Sequence, residues 1–175
     1  RAAILLLETG GVRLQEANLG LAAIADIHSA IVELRSLQPV IGVVAGTVGC
    51  FGGMSIAAGL CSRLIVTREA RVGRNGPQVI EQEAGLDEYD SRNRPFIWSF
   101  TGGEQRHASH LVDAFCQDSV DEIRAQVVTY LQENGGTPRS ECYEFFLRQL
   151  AQVGPEQVTP EDVRQLYKEL PEALS

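Results

Sequence analysis

The chain has 175 residues, 44% of them hydrophobic and 22% charged, with a formal net charge of -8. That length suits one domain with a substantial buried core. The acidic balance excludes a general nucleic-acid binder, which would present a basic face.

Arg1 leads directly into "AAILLLET" with no initiator Met. Ala2–Glu8 is a continuous apolar run, the pattern of a strand buried on both faces. Such a strand does not stand alone, so a further segment is expected upstream. "TGGVRLQE" interrupts it, and Leu21, Ile24, Ile27 or His28, Ile31 and Leu34 then follow helical spacing up to Leu37. Gln38-Pro39 closes that helix, because a residue before proline avoids the helical region. Val40–Ala45 predicts a second buried strand, Gly53–Ser62 a helix of small residues and Arg63–Thr67 a third strand. Alternation of this kind implies parallel strands joined by crossovers, an α/β fold.

Pro77 sits in the first turn of a short helix predicted to reach Ala84. "DEYDSRNRPFIWSF" predicts a helix with irregular ends, "TGGEQR" a helix start capped by Thr101, and Leu111–Phe115 a short strand. Three helices follow at Val120–Gln132, Ser140–Gln152 and Pro160–Leu170. Ser119 and Thr159 are their candidate caps, and "ENGGTP" and "VGPEQ" are the linkers. The expected organisation is a core over 1–116 and a helical extension over 117–175 within the same domain.

The four cysteines, Cys50, Cys61, Cys116 and Cys142, form no CxxC pair. They read as reduced thiols of a cytoplasmic protein, with Cys61 a small buried residue. No uninterrupted apolar run approaches the about 20 residues that span a bilayer, so no membrane contact is expected. Arg63, Arg68, Arg71 and Arg74 stand close enough in sequence to form a local basic patch. His28, His107 and His110 lack carboxylate or cysteine partners at ligand spacing, so no metal site is expected. The acidic run Glu81, Glu83, Asp87, Glu88 and Asp90 reads as a solvated face.

Two glycine turns, "ETGGVRLQE" and "GTVGCFGGMS", each follow a predicted strand. In open parallel sheets ligands lie at the carboxyl ends of strands, so both turns can face one pocket. Backbone N–H groups at Gly10, Gly11, Gly52 and Gly53 could then converge on one oxygen. Gly52-Gly53 also opens a helix, whose N-terminus adds partial positive charge. Equally, the glycines could serve only to let helix and strand pack closely. Rival motifs fit less well. Gly46, Gly49 and Gly52 are spaced GxxGxxG rather than GxGxxG, the residue after Gly53 is Met54 and not lysine, and "GMSIA" around Ser55 lacks the closing glycine of a nucleophile elbow.

Taken together, "ETGGVRLQE", "GCFGGMSIAAGLCS", "NGPQVIEQEAG", "RPFIWSFTGGEQR" and "HLVDAF" resemble the beta subunit of biotin-independent malonate decarboxylase, in the crotonase-like carboxyltransferase superfamily. The resemblance runs from Arg1 to about Phe115 and implies an N-terminally truncated spiral of ββα units with a helical tail. It implies decarboxylation of a malonyl thioester, carried on a dephospho-CoA-derived arm of an acyl carrier protein, to an acetyl thioester. No biotin is implied, and a homologous gamma subunit completes the pocket. The oxyanion donors would come from Gly10 or Gly11 and from Gly52 or Gly53. Val12, Phe51, Met54, Asn75, Gly76 and Pro77 would line the acyl pocket. The chain departs from the subfamily pattern at Arg74 and Gln78. Three other readings remain: a biotin-dependent carboxyltransferase subunit; an acyl-CoA hydratase or isomerase, against which counts the absence of a Glu from Met54 to Cys61; and a non-catalytic scaffold.

Overall fold

The computed structural model describes residues 1–9, 11, 13–133, 136–154, 156, 158–171 and 174, with the backbone alone of Leu14. Gly10, Val12, parts of both linkers (Asn134, Gly135, Pro155, Gln157) and three residues near the C-terminus (172, 173 and 175) lie outside the description.

Four parallel strands form one sheet in the order β1 (Ala3–Leu6), β2 (Val40–Val44), β3 (Arg63–Thr67), β4 (Ala114–Cys116). Helices α1 (Ala17–Arg35) and α2 (Gly53–Leu60) make the first two crossovers. Ile31, Ala57 and Ala58 of these helices pack on the same core cluster as Leu7, Val40, Val44, Leu64 and Val66. Strand order follows chain order and both crossovers lie on one face, so the chain spirals rather than doubling back. α3 (Pro77–Ala84), α4 (Arg94–Thr101) and α5 (Gly103–Ala108) form the third crossover, and α6 (Val120–Gln132) covers the opposite face over Ile41, Val43 and Ile65. Two further helices, α7 (Tyr143–Leu150) and α8 (Pro160–Leu166), complete the chain.

All five residues of β2 are buried, as its unbroken apolar run predicts. β1 differs from expectation. Ala3 and Leu5 pack toward α1, but Ile4 is 50% and Leu6 80% exposed on the other face, because α6 does not extend over this edge strand. By length and composition helix α1 could cross a membrane, although Asn18, Asp26, Ser29 and Glu33 share one stripe of it. Ile24, His28, Ile31, Leu34 and Arg35 form its inner face; Leu19, Leu21, Ile27 and Val32 are exposed.

Two predicted boundaries move for identifiable reasons. Thr101 does not cap the helix after it: it ends α4, its hydroxyl donating to the Ile97 carbonyl at 2.9 Å. The fourth strand starts at Ala114 rather than Leu111, because Asp113 turns back onto the start of β3. Its amide donates to the Leu64 carbonyl (2.9 Å) and its carboxylate accepts the Leu64 amide (2.7 Å). Ser119 and Thr159 are caps as read, Thr159 within a capping box with Asp162. The predicted Ser140–Gln152 helix divides into a 3₁₀ turn at Arg139–Cys142 and α7.

Arg63 does not belong to a basic patch. Asp113, 12% exposed, pairs with Arg63 at 3.6 Å and with Arg139 of the helical extension. Arg139 also donates to the carbonyls of His110 (2.9 Å) and Val112 (3.0 Å). One carboxylate thus ties the extension to the sheet. Removing it leaves two largely buried guanidinium groups without their counter-charge and the Leu64 amide without its acceptor. Asp113→Ala is expected to lower the unfolding free energy by about 3 kcal/mol or more in urea titration. A loss below about 1 kcal/mol, the range of ordinary surface changes, would show that the ion cluster does not hold the extension.

Candidate active site at the ends of the first two strands

β1 and β2 pair in parallel with Leu6 opposite Val43, so their two glycine turns leave the sheet side by side. The pairing continues past the strand, with the Leu7 amide donating to the Val43 carbonyl at 2.8 Å. Thr9 then fastens one turn to the other. Its amide donates to the Gly49 carbonyl at 3.0 Å. Its hydroxyl accepts from the Phe51 amide at 3.2 Å and donates to the Phe51 carbonyl at 3.4 Å. A hydroxyl can hold both bonds because it offers one proton and two lone pairs.

The second turn is clamped from its other side by residues 71–74. Cys50 and Gly52 donate to the carbonyls of Arg71 and Arg74, both at 2.8 Å, and Gly73 donates to the Cys50 carbonyl at 3.2 Å. The Arg71 guanidinium donates to the Thr47 and Val48 carbonyls at 2.5 and 3.2 Å. It lies over the rings of Phe51 and Trp98, 5.5 and 4.8 Å from their centroids. Arg71 is therefore a strut of this loop rather than part of a basic patch; Arg68 and Arg74 are exposed.

Gly52 and Gly53 need to be glycine for different reasons. Gly52 has φ 63°, ψ -140°, a conformation strained for any residue with a Cβ, although open space lies in the Cβ direction. Its amide is committed to Arg74, so it does not serve as the free oxyanion donor expected at this position. Gly53 begins α2, and a Cβ there would stand 2.5 Å from Cγ2 of Ile24 on α1. Close helix packing alone thus requires the bare backbone at Gly53. Among the described residues, the amides of Gly53 and Met54 donate to no acceptor, as the first turn of a helix leaves them. Among the described residues the Gly11 amide likewise donates to no acceptor.

The remaining predicted residues divide in the same way. Gly10 and Val12 lie outside the described residues. The half-buried Phe51 ring turns back under Arg71, and the Met54 side chain packs against the core below α1. Asn75 and Gly76 follow the Arg74 clamp, and the buried Pro77 opens α3. Ser55 is no nucleophile elbow: its hydroxyl donates to the Gly52 carbonyl at 2.7 Å. Burial pushes the Cys50 and Cys61 thiols up to about 11 and about 12, so neither is a thiolate at neutral pH. The acidic run stays largely at the surface, where Glu81 accepts the Ser91 amide.

Two residues of the site were not singled out from sequence. Thr9 stood inside a quoted motif, and the signal was a hydroxyl one residue before paired glycines. His28 figured in the sequence only as a helix-face alternative to Ile27 and as a histidine without metal-ligand partners. Its Nε2 lies 2.7 Å from the Gly53 carbonyl oxygen.

Unspent amides on adjacent turns, one of them at a helix N-terminus, suit an oxygen that gains negative charge. No protein-family model matches the chain. Known structures do. The chain superposes on a subunit of a Pseudomonas malonate decarboxylase hetero-tetramer, solved with malonate, at 63% identity and TM-score 0.90, covering 95% of this chain and 61% of that one. The chain is thus similar over most of its length to subunits of malonate decarboxylase. A chain of a Pseudomonas malonate decarboxylase hetero-dimer matches at 60% identity and TM-score 0.76, over 86% of this chain and 62% of that one. The malonyl-S-ACP:biotin-protein carboxyltransferase of Malonomonas rubra is 38% identical over 132 residues, 75% of this chain and 42% of that protein. The chain thus spans about three-fifths of the decarboxylase chains it matches.

Whether packing or a ligand demands the bare backbone at Gly53 can be separated by a double variant. Gly53→Ala alone is expected to destabilise the assembled complex by about 1–3 kcal/mol through overpacking and to slow turnover. Adding Ile24→Ala makes room for the new methyl and is expected to restore turnover. No recovery in the double variant would mean that something other than Ile24 needs the space.

Proposed function

We propose that this chain, with a partner subunit, decarboxylates a malonyl thioester held on an acyl carrier protein. Thr9 supports the reading: its hydroxyl bonds tie the start of the first turn to Phe51, two residues before Gly53. The identity with Pseudomonas malonate decarboxylase subunits supports the same chemistry.

In this mechanism the thioester oxygen accepts hydrogen bonds from a donor of the first turn (Gly11, or Gly10 beside it) and from Gly53. The bond between the malonyl carboxylate carbon and the α-carbon breaks, and carbon dioxide leaves. Its electron pair moves into the thioester, forming an enolate with charge on that oxygen. One proton, from water or the partner subunit, then completes the acetyl thioester. Each preorganised donor is worth about 3 kcal/mol in the transition state, and the α2 dipole adds in the same direction. Because carbon dioxide leaves rather than being passed on, the reaction needs no biotin. The arm carrying the thioester is read as derived from dephospho-CoA. Pro77 and the backbone of Asn75 and Gly76 are assigned to its acyl pocket.

Leu19, Leu21, Ile27 and Val32 of α1 are exposed, and the partner subunit is proposed to cover part of this helix. The Pseudomonas relatives are hetero-oligomers by description, and the partner is read as the homologous gamma subunit. Residues 1–116 and 117–175 are taken as one domain on the strength of the Asp113–Arg139 tie. Four unpaired thiols suit the cytoplasm.

The Malonomonas rubra relative favours one other reading, carboxyl transfer to a biotin protein. Carbon dioxide release from malonyl thioester by the full complex, with biotin excluded, decides between them. Release is expected, and Thr9→Val is expected to reduce it about tenfold or more by misplacing one donor while the complex still assembles. Turnover only with a biotinylated carrier would establish the transferase. Unchanged release from Thr9→Val would leave this chain a scaffold.

A further inference from the structure

Helix α1 grips α2 at both ends. His28 Nε2 lies 2.7 Å from the Gly53 carbonyl oxygen, and the Arg35 guanidinium donates to the Leu60 carbonyl, also at 2.7 Å. Both pairs of positions are seven residues apart, two helical turns, so the helices run side by side in the same direction. Arg35 completes the C-terminal end of α2 in an ordinary way, as a cation among terminal carbonyls. His28 acts at the other end, where the unspent amides are.

A carbonyl oxygen can only accept, so the imidazole Nε2 must carry a proton whichever form the ring takes. The bonded carbonyl belongs to the Gly53–Met54 peptide, and a planar peptide fixed at its oxygen is fixed at its N–H, here that of Met54, the free amide next to Gly53 in the first turn. Gly53 has no side chain to hold it, and glycine is the residue with most backbone freedom to lose. Ile24, one turn before His28, closes the same spot from the side. We propose that His28 is a positioning residue, holding the first turn of α2 so that its free amides stay aimed at the substrate oxygen. This rests on the oxyanion reading above. It adds a side chain, outside both glycine turns, on which the rate depends.

Two variants and one spectrum test it on the assembled complex. His28→Leu removes the donor with little change in apolar packing. It is expected to lower kcat about tenfold, with KM and the thermal midpoint unmoved. His28→Gln, whose amide nitrogen can reach the same carbonyl, is expected to recover most of that loss. Wild-type kcat in His28→Leu overturns the proposal, as does a His28→Gln variant as slow as His28→Leu, or a kcat loss that only tracks a falling thermal midpoint. Nitrogen-15 shifts of the imidazole are expected to show Nε2 protonated at neutral and mildly alkaline pH. A bare Nε2 overturns the proposal whether or not the complex decarboxylates. A wild-type complex that releases no carbon dioxide defeats the functional reading instead, and the ring-nitrogen measurement still decides the hydrogen bond.

Discussion

The two bonds between the Thr9 hydroxyl and the Phe51 backbone are the constraint on which the site depends. Parallel pairing brings the ends of β1 and β2 together, but past Leu7 the ladder stops and each chain is free to turn away. A side-chain oxygen that accepts one backbone N–H and donates to the carbonyl of the same residue replaces the missing rung. With the Thr9–Gly49 bond beside it, the first turn takes its position from the second.

The second turn is in turn held by the next crossover. Cys50, Gly52 and Gly73 exchange backbone bonds across residues 71–74, while the Arg71 guanidinium spans from the Thr47 carbonyl to the Trp98 ring. Helix α1 presses on α2 through Ile24 and His28 and caps it through Arg35, which also donates to Ser140 of the helical extension at 2.7 Å. A second link from the extension runs through the buried Gln105, which donates to the Pro160 carbonyl at 2.8 Å and accepts from Arg164 at 2.6 Å. The helices after Cys116 thus brace the layers that carry the glycine turns.

Features set by local chemistry were legible in the sequence. The unbroken run at Val40, the proline at 77 and the caps Ser119 and Thr159 each act within a few residues of themselves, and their elements begin where expected. Contacts between distant segments were not legible. Asp113 delays β4 because its partners are Leu64 and Arg63, about fifty positions away. The open face of β1 reflects the reach of α6, more than a hundred residues later. The glycine turns show both sides: their existence and their place at the strand ends could be read directly. Which amides stay free could not, because the Arg74 carbonyl takes Gly52 and leaves Gly53. Nor could the need for glycine at 53, which lies in Ile24 of another helix.

A crystal structure of the assembled complex with a stable malonyl-thioester analogue tests the central claim most directly. The account predicts the thioester oxygen within hydrogen-bonding distance of the Gly53 amide and of an amide in the first turn, with the Thr9–Phe51 bonds intact. An oxygen bound away from both turns, or held by the Gly52 amide after release from Arg74, would contradict it.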